Sequence, residues 1–349
     1  MTAIAVSAAD PPDETLAAHY GDPLREQRTM LSSGAFVDRG NRSVLTITGP
    51  DRLRWLHDIT SQHLIGLPAM AGSEALVLSP HGHVEHHLVL ADDGTTTYID
   101  VEPGTADSLR AYLDAMRFML RVEVRDVTAD WAVGTVVGPL TGQPAELIVA
   151  LRAYAPGQPY PVVALPGGGF ARRMPPLGDG VPTVDLLRPR ADAGELAAPA
   201  GLWAYDALRV QAGRPRLGID TDARTIPHEV GWINRAVHLD KGCYRGQETV
   251  ARVHNLGRPP RRLVVLHLDG SAETLPTRGS AVQWRDRAVG FVGTSARHHE
   301  LGPIALALVK RSVPDEAELL AEAVPARIDP ELSLAPSEPV VARERIRRV

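Results

Sequence analysis

The chain has 349 residues, 44% hydrophobic and 23% charged, with a formal net charge of −5. A single core stops growing at about 250–300 residues, so two or three globular domains are expected. The acidic balance argues against nucleic-acid binding through bulk charge. No apolar run approaches the roughly 18–20 residues of a membrane helix. The single cysteine, Cys243, excludes an internal disulfide, a four-cysteine zinc site or an ordinary iron–sulfur cluster held by this chain alone.

Met1–Pro12 lacks a basic n-region and a long apolar h-region. It reads as a disordered tail rather than a signal peptide, and a cytoplasmic setting is expected. Val44–Thr48 alternates and is β-branched, predicting a strand. Gly49-Pro50-Asp51 then turns into a helix over about Arg52–His63. Ala75–Ser79 and Val84–Ala91 read as paired strands around Pro80–His83, followed by a strand at Thr95–Val101. Thr105 is placed to cap a helix in which Leu109, Tyr112, Leu113, Met116 and Leu120 recur at helical spacing. Strands near Arg121–Val127 and Trp131–Val137 complete an α+β unit.

Eleven of the 29 prolines fall between Pro139 and Pro199, which predicts loops and short edge strands there. A helix follows over about Leu202–Ala212, with Gly213 as its stop. From Arg261 onward, short β-like runs at Leu263–Leu268, Ala281–Trp284, Ala288–Thr294 and Ile304–Lys310 predict a small antiparallel barrel. The expected division is an extension over 1–31, an interleaved α+β region over 32–256 and a barrel with a basic tail over 257–349.

The segment Lys241-Gly242-Cys243-Tyr244-Arg245-Gly246-Gln247-Glu248 frames the one thiol with two glycines, which permit tight turns and close backbone approach. Gln247 reads as a helix start with Glu248 in its first turn. Lys241 and the helix N-terminus would both favour a thiolate. Residues two apart in an extended segment point the same way, so Lys241 and Cys243 are expected to line one surface. Residue type and spacing alone leave a buried structural cysteine equally open.

The segment resembles the K-G-C-[FY]-x-G-Q-E signature of the YgfZ family, folate-binding relatives of the glycine-cleavage T protein. Arg209-Val-Gln-Ala-Gly213-Arg-Pro is similar to the family's R-[IL]-E-A-G-x-P stretch, and Ile226–Glu229 with Gly231-Trp232 to the link between the two. By order of elements the likeness runs over roughly Ser32–Arg311. It implies a three-part α+β fold: two interleaved subdomains plus a C-terminal antiparallel barrel around a folate pocket. It further implies tetrahydrofolate, or a one-carbon-substituted folate, as cofactor, with iron–sulfur client or assembly proteins as transient partners. Cys243 and Lys241 would be the functional pair. Gly242, Tyr244, Gly246, Gln247 and Glu248 would shape the pocket mouth, and Arg209, Gln211 and Gly213 would support the folate.

Two departures stand out. Gln211 replaces the usual Glu, losing charge-assisted strength toward a pterin. The T protein's acidic pair, in its G-G-x-x-D-D-L stretch, is matched by Gly82–Leu88, with His86 and His87 at the two acids. This argues against aminomethyltransferase chemistry, although one-carbon transfer and a folate-free thiol redox module stay as alternatives. His81, His83, His86 and His87 form a cluster, but alternation divides His86 from His87, which is expected to pair with Glu85 on the other face, so a polar hairpin rim or a pocket wall facing a ligand is favoured over a metal site. His298-His299 reads as an exposed turn. Trp203 and Tyr205 read as core packing rather than a pterin platform. Arg343, Arg345, Arg347 and Arg348 read as a solvated basic tail.

Overall fold

β-Branched and aromatic runs separated by glycine, proline and aspartate turns dictate a strand-rich chain. The computed structural model describes residues 5–7, 10–139, 154–178, 180–192, 197–256, 258–271 and 274–334. The N-terminal half contains β1 (Val6–Ser7), β2 (Ala17–His19), α1 (Pro23–Ser33), β3 (Ala35–Asp38), β4 (Ser43–Thr48), α2 (Arg52–Ile59), β5 (Ala71–Leu78), β6 (Val84–Asp92), β7 (Thr96–Val101), α3 (Ala106–Ala115), β8 (Glu123–Asp126) and β9 (Trp131–Val137). Then come β10 (Tyr160–Ala164), β11 (Phe170–Leu177), β12 (Val181–Pro189), β13 (Ala198–Pro199), α4 (Leu202–Gln211) and α5 (Gln247–Leu256). The last strands are β14 (Arg261–Leu268), β15 (Ala281–Trp284), β16 (Arg287–His298), β17 (Gly302–Lys310), β18 (Leu319–Ala321) and β19 (Val324–Asp329).

Eleven strands form one sheet in the order β13-β3-β9-β12-β11-β10-β5-β6-β7-β4-β8. Its two halves interleave along the chain: β3 lies in one half, β4 to β8 in the other, and β9 to β12 return to the first. The β10–β5 ladder, Tyr160↔Gly72 and Pro161↔Ala71, joins them. Helices α2 and α3 cover one half through Trp55, Leu56, Leu109 and Leu113 against Leu45, Leu88, Leu90 and Ile99. Each such fully buried leucine contributes about 1.5–3 kcal/mol. The last six strands close into a barrel in the order β14-β17-β16-β15-β18-β19. A third apolar cluster, with Leu76, Trp232, Tyr244, Leu263 and Leu306, ties sheet, connecting segment and barrel together.

A buried ionic network seals the seam between the halves. Arg42 binds Asp100 at 2.8 Å and Glu102 at 2.7 Å. Arg172 binds Asp100 at 2.7 Å and Asp185 at 3.0 Å. Arg216 binds Asp13 at 2.7 Å and Glu102 at 2.9 Å, and Arg39 approaches Asp185 at 3.5 Å. These four arginines and four carboxylates balance, so the network is neutral without any counter-ion from a ligand.

Several expectations are corrected. The proline-rich stretch supplies the interior strands β10 to β12 as well as the expected short edge strand, β13, and Pro175 and Pro176 fit within β11 because they sit inside the register break of the β11–β12 ladder between Met174 and Leu177. Helix α2 stops at Ile59, since Thr60 turns extended and Ser61 leaves the helix to bond Leu76 N and Ala236 O. Helix α3 stops at Ala115, leaving Phe118 and Met119 80% and 97% exposed. Thr105 stands at the cap position of α3, but its hydroxyl donates to Glu102 O. His298 is buried rather than exposed, its Nδ1 accepting from the backbone of Glu300 and Leu301. The N-terminal stretch is not uniformly free: Val6–Ser7 pairs with β2, Asp13 joins the ionic network, and the expected 31/32 division falls inside α1. The basic tail lies outside the described residues.

Candidate functional site

Helix α5 begins at Gln247, as the Gly246-Gln-Glu pattern predicts, and Glu248 is exposed in its first turn. Ahead of it the signature segment is pressed onto the β5–β6 turn. A Cβ on Gly246 (φ +82°) would lie 2.6 Å from Ser79 O, and one on Gly82 would lie 2.7 Å from Thr249 Cβ. These two glycines are needed for close approach. Tyr244 is buried in the third apolar cluster, and burial pushes its hydroxyl up to about 12. Arg245 pairs with Glu85 at 3.0 Å and lies over Tyr112.

Lys241 and Cys243 do not share a surface. Lys241 is buried, and its ammonium donates to the carbonyls of His57 and Thr60 at the end of α2, lying 4.9 Å from the Tyr244 ring centre. It thus caps orphan helix carbonyls. Burial lowers its pKa to about 8. Gly242 and Cys243 are exposed, and Gln247 Nε2 reaches back to Lys241 O at 3.3 Å.

The upstream stretch braces rather than opens. Arg209 on α4 is saturated: it donates to Asp206 at 2.8 Å, Asp220 at 2.7 Å, Arg214 O at 2.6 Å and Thr294 at 2.5 Å. It locks α4 to the barrel strand β16. Gln211 Oε1 lies 3.2 Å from His298 Nε2. Gly213 (φ +61°) stops the helix as expected.

Beyond Gly213 lies a polar cluster that residue spacing did not reveal. Glu74 on β5, His87 on β6, Tyr160 on β10 and Arg235 in the loop after Trp232 converge on one carboxylate. Glu74 accepts from Tyr160 at 2.7 Å and from Arg235 at 3.1 Å, and lies 2.7 Å from His87 Nε2. Burial alone would raise Glu74, but Arg235, His87 and Tyr160 hold it well below the carboxylate range. His87 therefore partners Glu74, not Glu85, and stacks on Trp232 at 4.8 Å. Arg214 adjoins the cluster. Its pKa is lowered by burial and then by the nearby Arg235 charge, and among the described residues no carboxylate pairs with it. Tyr154 packs near Tyr160, ring centres 6.0 Å apart.

His86 points to the other face of β6, where burial lowers it to about 4 and Nδ1 has no partner among the described residues. No group of three His, Cys, Asp or Glu side chains among the described residues is placed to hold a metal. A shallow depression of about 520 Å³, lined by Thr48, Gly49 and Arg117–Glu123, shares no residue with this cluster or with the signature segment.

The whole chain matches one solved architecture closely. Its structure superposes on the glycine-cleavage-system aminomethyltransferase T of Bartonella henselae with a TM-score of 0.74, covering 93% of each chain at 18% identity. The fold is that of the glycine-cleavage T protein. The expected three-part α+β arrangement is thus the one observed. In sequence the chain is 26% identical over 333 residues to an aminomethyltransferase of Nostoc sp., covering 86% of this chain and 85% of that protein. It is 25% identical over 272 residues to a protein of Arabidopsis thaliana named as a chloroplastic transferase, covering 73% of this chain and only 60% of that protein's length. No family model matches the chain. No helix among the described residues is long and apolar enough to cross a membrane. On this T-protein fold, the Glu74 cluster joins strands of both sheet halves to the segment that leads from α4 into the signature.

Proposed function

We propose that this chain binds tetrahydrofolate, or a one-carbon-substituted folate, at the Glu74–His87–Arg235–Arg214 cluster, and serves iron–sulfur proteins as an accessory factor of the YgfZ type. The observation that carries the reading is Arg214, a half-buried guanidinium that donates to Pro176 O at 2.7 Å but has no carboxylate partner among the described residues, beside Arg235, Tyr154 and Tyr160. A folate offers what these groups lack: carboxylates for the guanidinium and an aromatic ring system for the tyrosines. When bound, it would supply a reduced pterin able to carry one carbon. The chain's own part is to orient it: Arg214 and Arg235 by charge, Gly213 by ending α4 there, and Arg209 and Gln211 by bracing α4 against the barrel.

The accessory role rests on the resemblance of Lys241–Glu248 to the YgfZ signature. The exposed Cys243 would meet a partner or its cluster, while Lys241, Gly242, Tyr244, Gly246, Gln247 and Glu248 hold its loop. The test is complementation of a strain lacking its own YgfZ-type factor, read as iron–sulfur enzyme activity. A Cys243→Ser variant is expected to fail there while keeping folate affinity; full complementation by it would remove Cys243 from the function.

A second reading, folate-dependent aminomethyl transfer, is favoured by the name of the Nostoc relative. His86 and His87 at the acid positions oppose it. Turnover of an aminomethyl donor with formation of methylene-tetrahydrofolate would restore that reading.

A further inference from the structure

We propose that Glu74 and His87 form a proton-transfer pair at the central cluster, His87 Nδ1 being the atom that takes and returns the proton and Glu74 its positioning residue. The proposal rests on the folate reading only for the identity of the ligand, a pterin-type compound with a protonated nitrogen.

The two residues come from adjacent strands in the register Leu76↔His87 and Glu74↔Val89, so they lie diagonally on one face. His87 Nε2 is 2.7 Å from Glu74 Oε2. Tyr160 and Arg235 donate to the same carboxylate, at 2.7 Å and 3.1 Å. A carboxylate so held is an acceptor only, which requires the hydrogen of the imidazole to be on Nε2. The ring's lone pair is then on Nδ1. Among the described residues Nδ1 makes no hydrogen bond, and the His87 side chain is 11% exposed, so this nitrogen is what the ring offers to an incoming group.

Trp232, wholly buried, stacks on His87 with an interplanar angle of 26° and holds the ring plane, and among the described residues its indole N–H makes no hydrogen bond. The neighbouring His86 has no carboxylate and faces the apolar side, so the arrangement is particular to His87.

A carboxylate behind an imidazole fixes its tautomer and stabilises the imidazolium that forms when the far nitrogen is protonated. The step is a simple transfer. The N–H bond of the ligand breaks, its electron pair stays on the ligand nitrogen, and an Nδ1–H bond forms, with the new charge against Glu74. Return of the proton reverses it, and no oxidant or second substrate is needed.

Imidazole-labelled protein, followed by nitrogen-detected NMR with His87→Gln to assign the ring, tests this without an activity assay. In ligand-free protein at pH 7.5, His87 is expected as the Nε2–H tautomer. In Glu74→Gln, whose amide can donate as well as accept, that preference is expected to give way to a mixture of tautomers. In Tyr160→Phe, which leaves the carboxylate in place, the Nε2–H tautomer is expected to persist. Added tetrahydrofolate is expected to shift the Nδ1 resonance of His87 and leave His86 unchanged. An Nδ1–H tautomer, or a tautomer unchanged in Glu74→Gln, would overturn the pair even in a protein that binds folate. A fixed tautomer that is lost in Glu74→Gln and kept in Tyr160→Phe, in protein that ignores folate, would support the pair and overturn the folate reading.

Discussion

Lys241 and His86 show how burial assigns roles that residue type leaves open. The Lys241 ammonium serves two backbone carbonyls, so Lys241→Met is expected to cost about 1–3 kcal/mol by leaving His57 O and Thr60 O unmet, measured by urea denaturation. His86 is a neutral, buried base. Its folded value of about 4 lies below the 6.5 of an exposed imidazole, so the unfolded chain binds its proton first as the solution is acidified. The stability tied to a neutral His86 is therefore complete above about pH 6.5 and lost as pH falls toward 4, about 3 kcal/mol in all. His86→Phe is expected to flatten that loss, read as a smaller difference between denaturation midpoints at pH 7 and pH 5. An unchanged pH slope would mean that His86 is solvated in solution.

At the scale of elements, the signature segment is placed by two glycines. Gly246→Ala combines a positive φ with a contact to Ser79 O that a methyl group cannot make. It is expected to destabilise by about 1–3 kcal/mol and to speed proteolysis between Lys241 and Gln247. A silent variant would show that the segment does not rest on the β5–β6 turn. This scale also marks what sequence patterning conveys. The strands from β4 to β9, helix α4 and four barrel strands follow from alternation and helical spacing, because each is a local property. Strands β10 to β12 do not, since their prolines read as loop signals, and only strand register shows that Pro175 and Pro176 fall at a break inside β11. The segment Lys241–Glu248 is continuous in sequence, so it is legible as one stretch. Glu74, His87, Tyr160, Arg214 and Arg235 were not, because five separate segments bring them together and only strand register makes them neighbours. Lys241 and Cys243 were misplaced relative to each other because α2, far away in sequence, claims the ammonium.

At the scale of the molecule, sheet halves, N-terminal segment and barrel are joined by buried charge. Asp13 holds Arg216, and Arg209 holds both Asp220 and Thr294 of the barrel. Removing one partner of a buried pair leaves the other charge uncompensated. Asp13→Asn is expected to cost about 3 kcal/mol, softened by the Glu102 contact that Arg216 keeps, and to leave one unfolding transition for the whole chain. Two separate transitions in calorimetry would mean that the barrel unfolds alone. Arg214 is a guanidinium with no carboxylate partner among the described residues. Anaerobic calorimetric titration with tetrahydrofolate should show saturable binding to the native protein, weakened about tenfold or more in a folded Arg214→Met variant. Equal affinity in both proteins, or no binding to the native one, would contradict the account.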